Sequence, residues 1–190
     1  RDRVLAERRI SALTDNLKRG YETELRVGCT PTLSLHALPQ PVADFARDNP
    51  SVRLDMRQAH SALLAKMLHD GHVDLVIGPP EIAARVPGTE TVPLFSSPVV
   101  ILASRFHPLA GRKTITKQDL NDARWILHQP GTGIRDATDI LLRRLGVNET
   151  LQASELPSNM ILALLRLGDQ LAALPRYVLR NMDIASELVQ

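Results

Sequence analysis

Two stretches decide the fold: Glu24-Leu25-Arg26-Val27-Gly28-Cys29 and Asp74-Leu75-Val76-Ile77-Gly78. In the first, the apolar positions 25, 27 and 29 alternate with polar or small ones, the period of a strand with one covered face. The second is a short, nearly continuous apolar run, which suits a strand covered on both faces of a parallel sheet. Between them, Thr30-Pro31-Thr32 breaks the first strand, and Leu35, Leu38, Val42 and Phe45 follow at helical spacing up to Asn49-Pro50. Pro39 and Pro41 predict that this helix starts late or kinks, because proline removes a backbone donor and crowds the preceding turn. Val52, Leu54 and Met56 alternate as a second strand, and Ser61 can cap a helix through Leu64, Met67 and Leu68 that Gly71 stops. The segment therefore reads β-α-β-α-β.

Working outward, Pro79 to Gly88 is a loop, and Thr91–Phe95 and Pro98–Ala103 read as two further strands. A second alternating unit follows. Asp119-Leu120 lies in a short helix, Trp125–Leu127 in a strand, and Gly131-Thr132-Gly133 opens a helix carrying Ala137, Leu141 and Leu145 that Gly146 ends. Leu151–Ala153 is a strand, Ser158 caps a helix through Ile161, Leu164, Leu165 and Leu167, and Leu171–Leu174 is the last strand. Strands alternating with helices of this length imply α/β architecture. Toward the other end, Ala6, Ile10, Leu13 and Leu17 fall on one seam of a helix. That seam fits a helix lying on its own domain or a linker that pairs with another chain.

The 190 residues allow one domain or two small lobes. With 44% apolar and 23% charged residues, the composition excludes collagen, disordered and disulfide-scaffold classes. Cys29 alone cannot form an internal disulfide, and no run approaches the roughly 20 apolar residues that cross a bilayer, so the expected compartment is the cytoplasm, with no membrane partner. A net charge of +2 and six aromatic residues leave little with which this segment could read nucleic acid itself.

No HExxH, CxxC, phosphate-binding loop or nucleophile elbow is present. His69 and His72 flank Gly71 and would not share a helix face, so no metal is expected. Cys29 could be a nucleophile at a strand end, or simply a buried thiol. The positive signal lies elsewhere. Thr30-Pro31-Thr32, Ala59-His60-Ser61 and Pro130-Gly131-Thr132-Gly133 each stand where a strand's carboxyl end meets a helix start. In an open α/β sheet such ends gather at one crevice, and free helix N–H groups there favour a small anion. The alternative is that these Thr and Ser residues merely cap their helices.

The order of motifs resembles the effector-binding domain of LysR-type transcriptional regulators over most of the chain. The matching residues are Glu24–Gly28, Leu38-Pro39 with Phe45 and Pro50, Asp70-Gly71-His72-Val73-Asp74-Leu75-Val76-Ile77, His107-Pro108-Leu109-Ala110, Asp119-Leu120, Trp125-Ile126 and Leu174-Pro175. The resemblance implies two Rossmann-like lobes with a ligand cleft between them, like a type 2 periplasmic binding protein, preceded by a linker helix over residues 1–20. Residues 22–95 plus 173–190 would form the first lobe and 96–172 the second. It further implies a winged helix-turn-helix ahead of residue 1 that reads promoter DNA, and a strand and helix beyond Gln190 that complete the first lobe.

By the same resemblance, the effector would meet Thr30, Thr32, Leu33, His60, Ser61, Gly78 and Pro79 from the first lobe. The second lobe would supply Gly131, Thr132, Gly133, Ile134 and Arg135. Two positions depart from the family pattern. Ala59-His60 stands where a glycine and a small hydroxyl residue are usual, bringing a bulkier, titratable group, and Gln170 stands where a second glycine is usual. Arg135 could pair with a ligand carboxylate or be a solvated charge. The expected function is ligand sensing without catalysis, with no cofactor. Effector binding would change the relative angle of the lobes, in a homodimer or homotetramer joined through the first lobe and through Ala6, Ile10, Leu13 and Leu17. The rival readings are a transport-type solute-binding protein and an α/β enzyme using Cys29 or His60.

Overall fold

The computed structural model describes residues 17–18, 20–147, 153–180 and 182–190. The chain divides into two compact units, Arg1–Val92 and Pro93–Gln190.

In the first unit, β1 (Thr23–Cys29), β2 (Val52–Gln58) and β3 (Leu75–Ile77) form a parallel sheet in the order β2-β1-β3. Parallel neighbours need crossovers, and the helices between the strands supply them. These are α1 (Pro31–His36), α2 (Pro39–Asp48) and α3 (Ser61–His69), followed by a 3-10 segment over Pro80–Arg85. The prolines act as expected. The chain breaks into two helices, with Pro39 and Pro41 in the first turn of α2, where backbone N–H groups have no intrahelical partner to lose.

Leu64 of α3 is wholly buried with Ala65, Ile82 and Val86, and Ala59, Leu68 and Val76 pack against them. The fit is close at Gly28, where a Cβ would come within 2.8 Å of Leu64 Cδ2 and 3.3 Å of Val76 Cγ2. Asp74 locks the entry to β3. Its carboxylate accepts from Arg26 Nη2 at 2.6 Å, Nε at 3.1 Å and the Arg26 backbone N–H at 2.9 Å.

The second unit carries β4 (Val99–Ser104), β5 (Arg124–His128), β6 (Ala153–Leu156), β7 (Gln170–Pro175) and β8 (Leu188–Val189) in the order β6-β5-β7-β4-β8. Strand β5 runs parallel to β6 and β7, while β4 is antiparallel to β7 and β8. Around them lie α4 (Lys117–Asp122), α5 (Gly133–Leu145), α6 (Ser158–Leu167) and α7 (Met182–Glu187). Ala103, Leu109, Leu120, Trp125, Leu127, Leu142, Val147 and Leu171 form its core. Gly146 ends α5 in the left-handed conformation, φ 68°, that glycine adopts without penalty.

Several expectations change. Thr91–Phe95 forms no strand: residues 91–96 are exposed, and Pro93 has no N–H to give a ladder. The N-cap positions before Ser61 and Ser158 are held by His60 and Pro157, so neither serine is a cap. The boundary falls between Val92 and Pro93, and residues 173–190, expected in the first lobe, join the second unit. Ala173–Pro175 pair with Val99–Ile101, and Leu188–Val189 cover the other side of β4 at Ala103–Ser104. The Arg105 N–H donates to the Glu187 carbonyl at 2.8 Å and Arg166 pairs with Glu187, which fastens that segment to the sheet. Of the expected linker seam, Ala6, Ile10 and Leu13 lie outside the described residues, and Leu17 is exposed.

Candidate functional site

Register brings the first unit's candidate residues together. Cys29, at the end of β1, lies beside Gln58 on one side and Ile77 on the other, so all three strands finish at one edge. The segments leaving that edge begin with Thr30, with Ala59-His60 and with Gly78-Pro79. Gly78 sits against Thr30: a Cβ built on it would lie 3.7 Å from Thr30 Cγ2 and 2.6 Å from Ile82 Cδ1. Thr30, His60 and Pro79 are the N-cap residues of α1, α3 and the 3-10 segment, and none uses its side chain to cap. The Thr30 hydroxyl and the His60 ring are therefore not spent on the helix ends. Thr30 is half-buried, His60 exposed and Ser61 half-buried, while Thr32 and Leu33 are buried under the edge.

Two residues that the sequence did not single out help shape this edge. Gln58 Nε2 donates to Ser34 Oγ at 2.7 Å, and Ser34 Oγ donates to the Pro31 carbonyl at 2.8 Å, which ties α1 to the end of β2. The only signal in sequence was a polar residue closing an alternating strand. Cys29 is 1% exposed, and burial pushes its thiol pKa up against a smaller downward pull from Ser34. A thiol held protonated in the core is a poor nucleophile.

At the start of α5 the second unit differs. Thr132 is a working cap: its hydroxyl accepts from the Arg135 N–H at 3.3 Å and donates to the Gln129 carbonyl at 3.0 Å. Gly131 is exposed, and Gly133 and Ile134 are half-buried in the first turn. Arg135 is not a solvated charge. Its Nε donates to Asp139 at 2.7 Å, and its Nη1 donates to Glu155 at 2.7 Å and to the His128 carbonyl at 2.9 Å. Those carboxylates hold its pKa above the ordinary arginine value despite the opposing cost of burial. Among the described residues no group of three or more His, Cys, Asp or Glu is placed to hold a metal ion, and no helix is long and apolar enough to cross a membrane.

Against this geometry, the family profile described as "LysR substrate binding domain" matches residues 18–190. The chain belongs to the LysR substrate-binding domain family. It is 29% identical over 170 residues to the HTH-type transcriptional regulator GalR of Pseudomonas putida, covering 86% of this chain and 41% of that protein. It is 28% identical to the probable RuBisCO transcriptional regulator of Phaeodactylum tricornutum, over 74% of this chain and 47% of that one. The chain thus spans less than half the length of these curated relatives. Among solved structures, the regulatory domain of CcmR from Synechocystis PCC6803, in complex with 2-PG, superposes with a TM-score of 0.71 at 25% identity, covering 88% of this chain and 79% of that one. The cofactor-binding domain of the Cbl transcriptional regulator shares the fold, with a TM-score of 0.69 at 22% identity over 88% of this chain and 72% of that one. This LysR substrate-binding domain accordingly has the periplasmic-binding-protein-like fold.

Proposed function

We propose that this LysR domain senses a small anionic effector at the carboxyl edge of its first sheet and passes that state to a promoter-binding domain of the full-length regulator. The observation that carries this reading is the convergence there of three strand ends whose N-cap side chains make no capping bond. Thr30 and His60 are the primary contacts, with Thr32, Leu33, Ser61, Gly78 and Pro79 framing them. The helix starts add N–H groups that favour negative charge. The CcmR regulatory domain, solved with 2-PG, supports a ligand-binding role for a chain of this fold. At α5, Thr132 and Arg135 have structural duties, which makes the first sheet's edge the stronger candidate.

A ligand can shift a regulator only by its differential affinity for two states, so binding must come first. A thermal-shift screen of small carboxylates, sulfate, phosphate and sugars will find compounds that raise the melting temperature, because a ligand bound to the folded state stabilises it by mass action. Titration calorimetry of the best compound then tests the site. Thr30→Ala should weaken binding by about 0.5–1.5 kcal/mol, the net worth of one hydrogen bond, and by more if it meets a buried charge. Unchanged affinity would remove the edge from the reading.

A further inference from the structure

Residues 96–98 lead into β4 and residues 176–180 leave β7, and the pairing of Val99 with Pro175 sets the two segments side by side. They border an open, solvent-facing cavity of about 270 Å³, with Ser96, Ser97 and Pro98 on one side and Arg176, Tyr177, Leu179 and Arg180 on the other. No carboxylate lines it. Among the described residues no acidic side chain pairs with either arginine, whereas eight of the other twelve described arginines have such a partner.

The walls are held by their own bonds. The Arg176 N–H donates to the Pro98 carbonyl at 2.9 Å, and the Tyr177 N–H donates to Ser97 Oγ at 3.0 Å. Because Ser97 accepts that bond, its own hydroxyl proton remains available to a ligand. Phe95 meets Tyr177 edge to face, with ring centroids 5.6 Å apart, and the Arg180 guanidinium lies over the Phe95 ring at 5.7 Å. The ring holds Arg180 by cation–π attraction without neutralising it.

We propose that this cavity is a second anion site, built for one phosphate or carboxylate group of a small metabolite. Arg176, Arg180 and Ser97 line one concavity that no carboxylate borders, and these are the residue types that charge-assisted recognition of an oxyanion uses. A volume at or below the usual range of roughly 300–1,000 Å³ for ligand pockets restricts the occupant to a small molecule. The site uses none of the residues at the first sheet's edge.

Titration calorimetry of the chain with inorganic phosphate and, separately, with malonate tests the proposal. At least one of the two should bind saturably in the millimolar range or below. Phosphate alone would mark a phosphate-bearing ligand and malonate alone a carboxylate, each supporting the site. Arg176→Gln and Arg180→Gln should each weaken binding by about tenfold or more, as expected for a charge-assisted hydrogen bond. Both arginines are exposed, so both variants should keep the parent melting temperature. Ser97→Ala is the independent check and should also lower affinity. Absence of saturable binding for both anions, or affinities unchanged in all three variants, would overturn the proposal.

Discussion

His107 shows how one side chain ties local chemistry to the stability of the second unit. It is 6% exposed, and its Nδ1 accepts from the Leu109 N–H at 3.0 Å, a bond that requires that nitrogen to be unprotonated. Burial lowers its pKa below the ordinary histidine value, against a smaller upward pull from Asp169. Burial lowers the pKa of His36 as well. The unfolded chain therefore binds protons more tightly at these positions than the folded one, and stability, complete above about pH 6.5, falls as the pH drops below it. Thermal unfolding should show a melting temperature that declines from about pH 7 to pH 5, with a shallower decline in His107→Gln. Equal slopes would place the acid sensitivity elsewhere. At this scale the sequence was partly legible. It offered Arg135 as either a ligand partner or a surface charge, and both readings missed that Glu155, twenty positions away on a neighbouring strand, claims the guanidinium.

At the scale of elements, the close contact between β1 and α3 is one that a single substitution can probe. In Gly28→Ala the new methyl would press on Leu64 and Val76, and Leu64, wholly buried, must repack within the core to make room. Overpacking of this kind should cost about 1–3 kcal/mol, read as a lower urea midpoint at unchanged slope. An unaltered midpoint would show that α3 yields easily. The strands and helices whose pattern is local were readable: β1, β2, β3, β5, β7 and α5 all form where alternation or helical spacing places them. What failed was non-local. Thr91–Phe95 has strand-like residues but finds no partner, and the pairing of Ala103 with Val189 joins positions that no local period connects. The cap reading separated along the same line: Thr132 caps, whereas Thr30 and His60 occupy N-cap positions without using their side chains, a distinction of rotamer that spacing does not encode.

At the scale of the molecule, the α/β class was legible because βαβ alternation runs along the chain, and the family and its two lobes because the order of motifs resembles it, whereas the division of the tail between units depended on strand pairing. The proposed self-association belongs here. Sedimentation equilibrium at several concentrations should show a dimer or larger assembly, and Ile10→Asp with Leu13→Asp should weaken it, because charge on an apolar seam costs burial free energy. A chain that stays monomeric throughout would defeat that proposal. The central claim, that the carboxyl edge of the first sheet takes the effector, is tested most directly by backbone amide NMR spectra recorded while the strongest compound from the thermal-shift screen is added. The account predicts that the perturbed amides cluster at Thr30, Thr32–Ser34, His60–Ala62 and Gly78. Perturbations that spare those residues and fall only around Ser97, Tyr177 and Arg180 would contradict it.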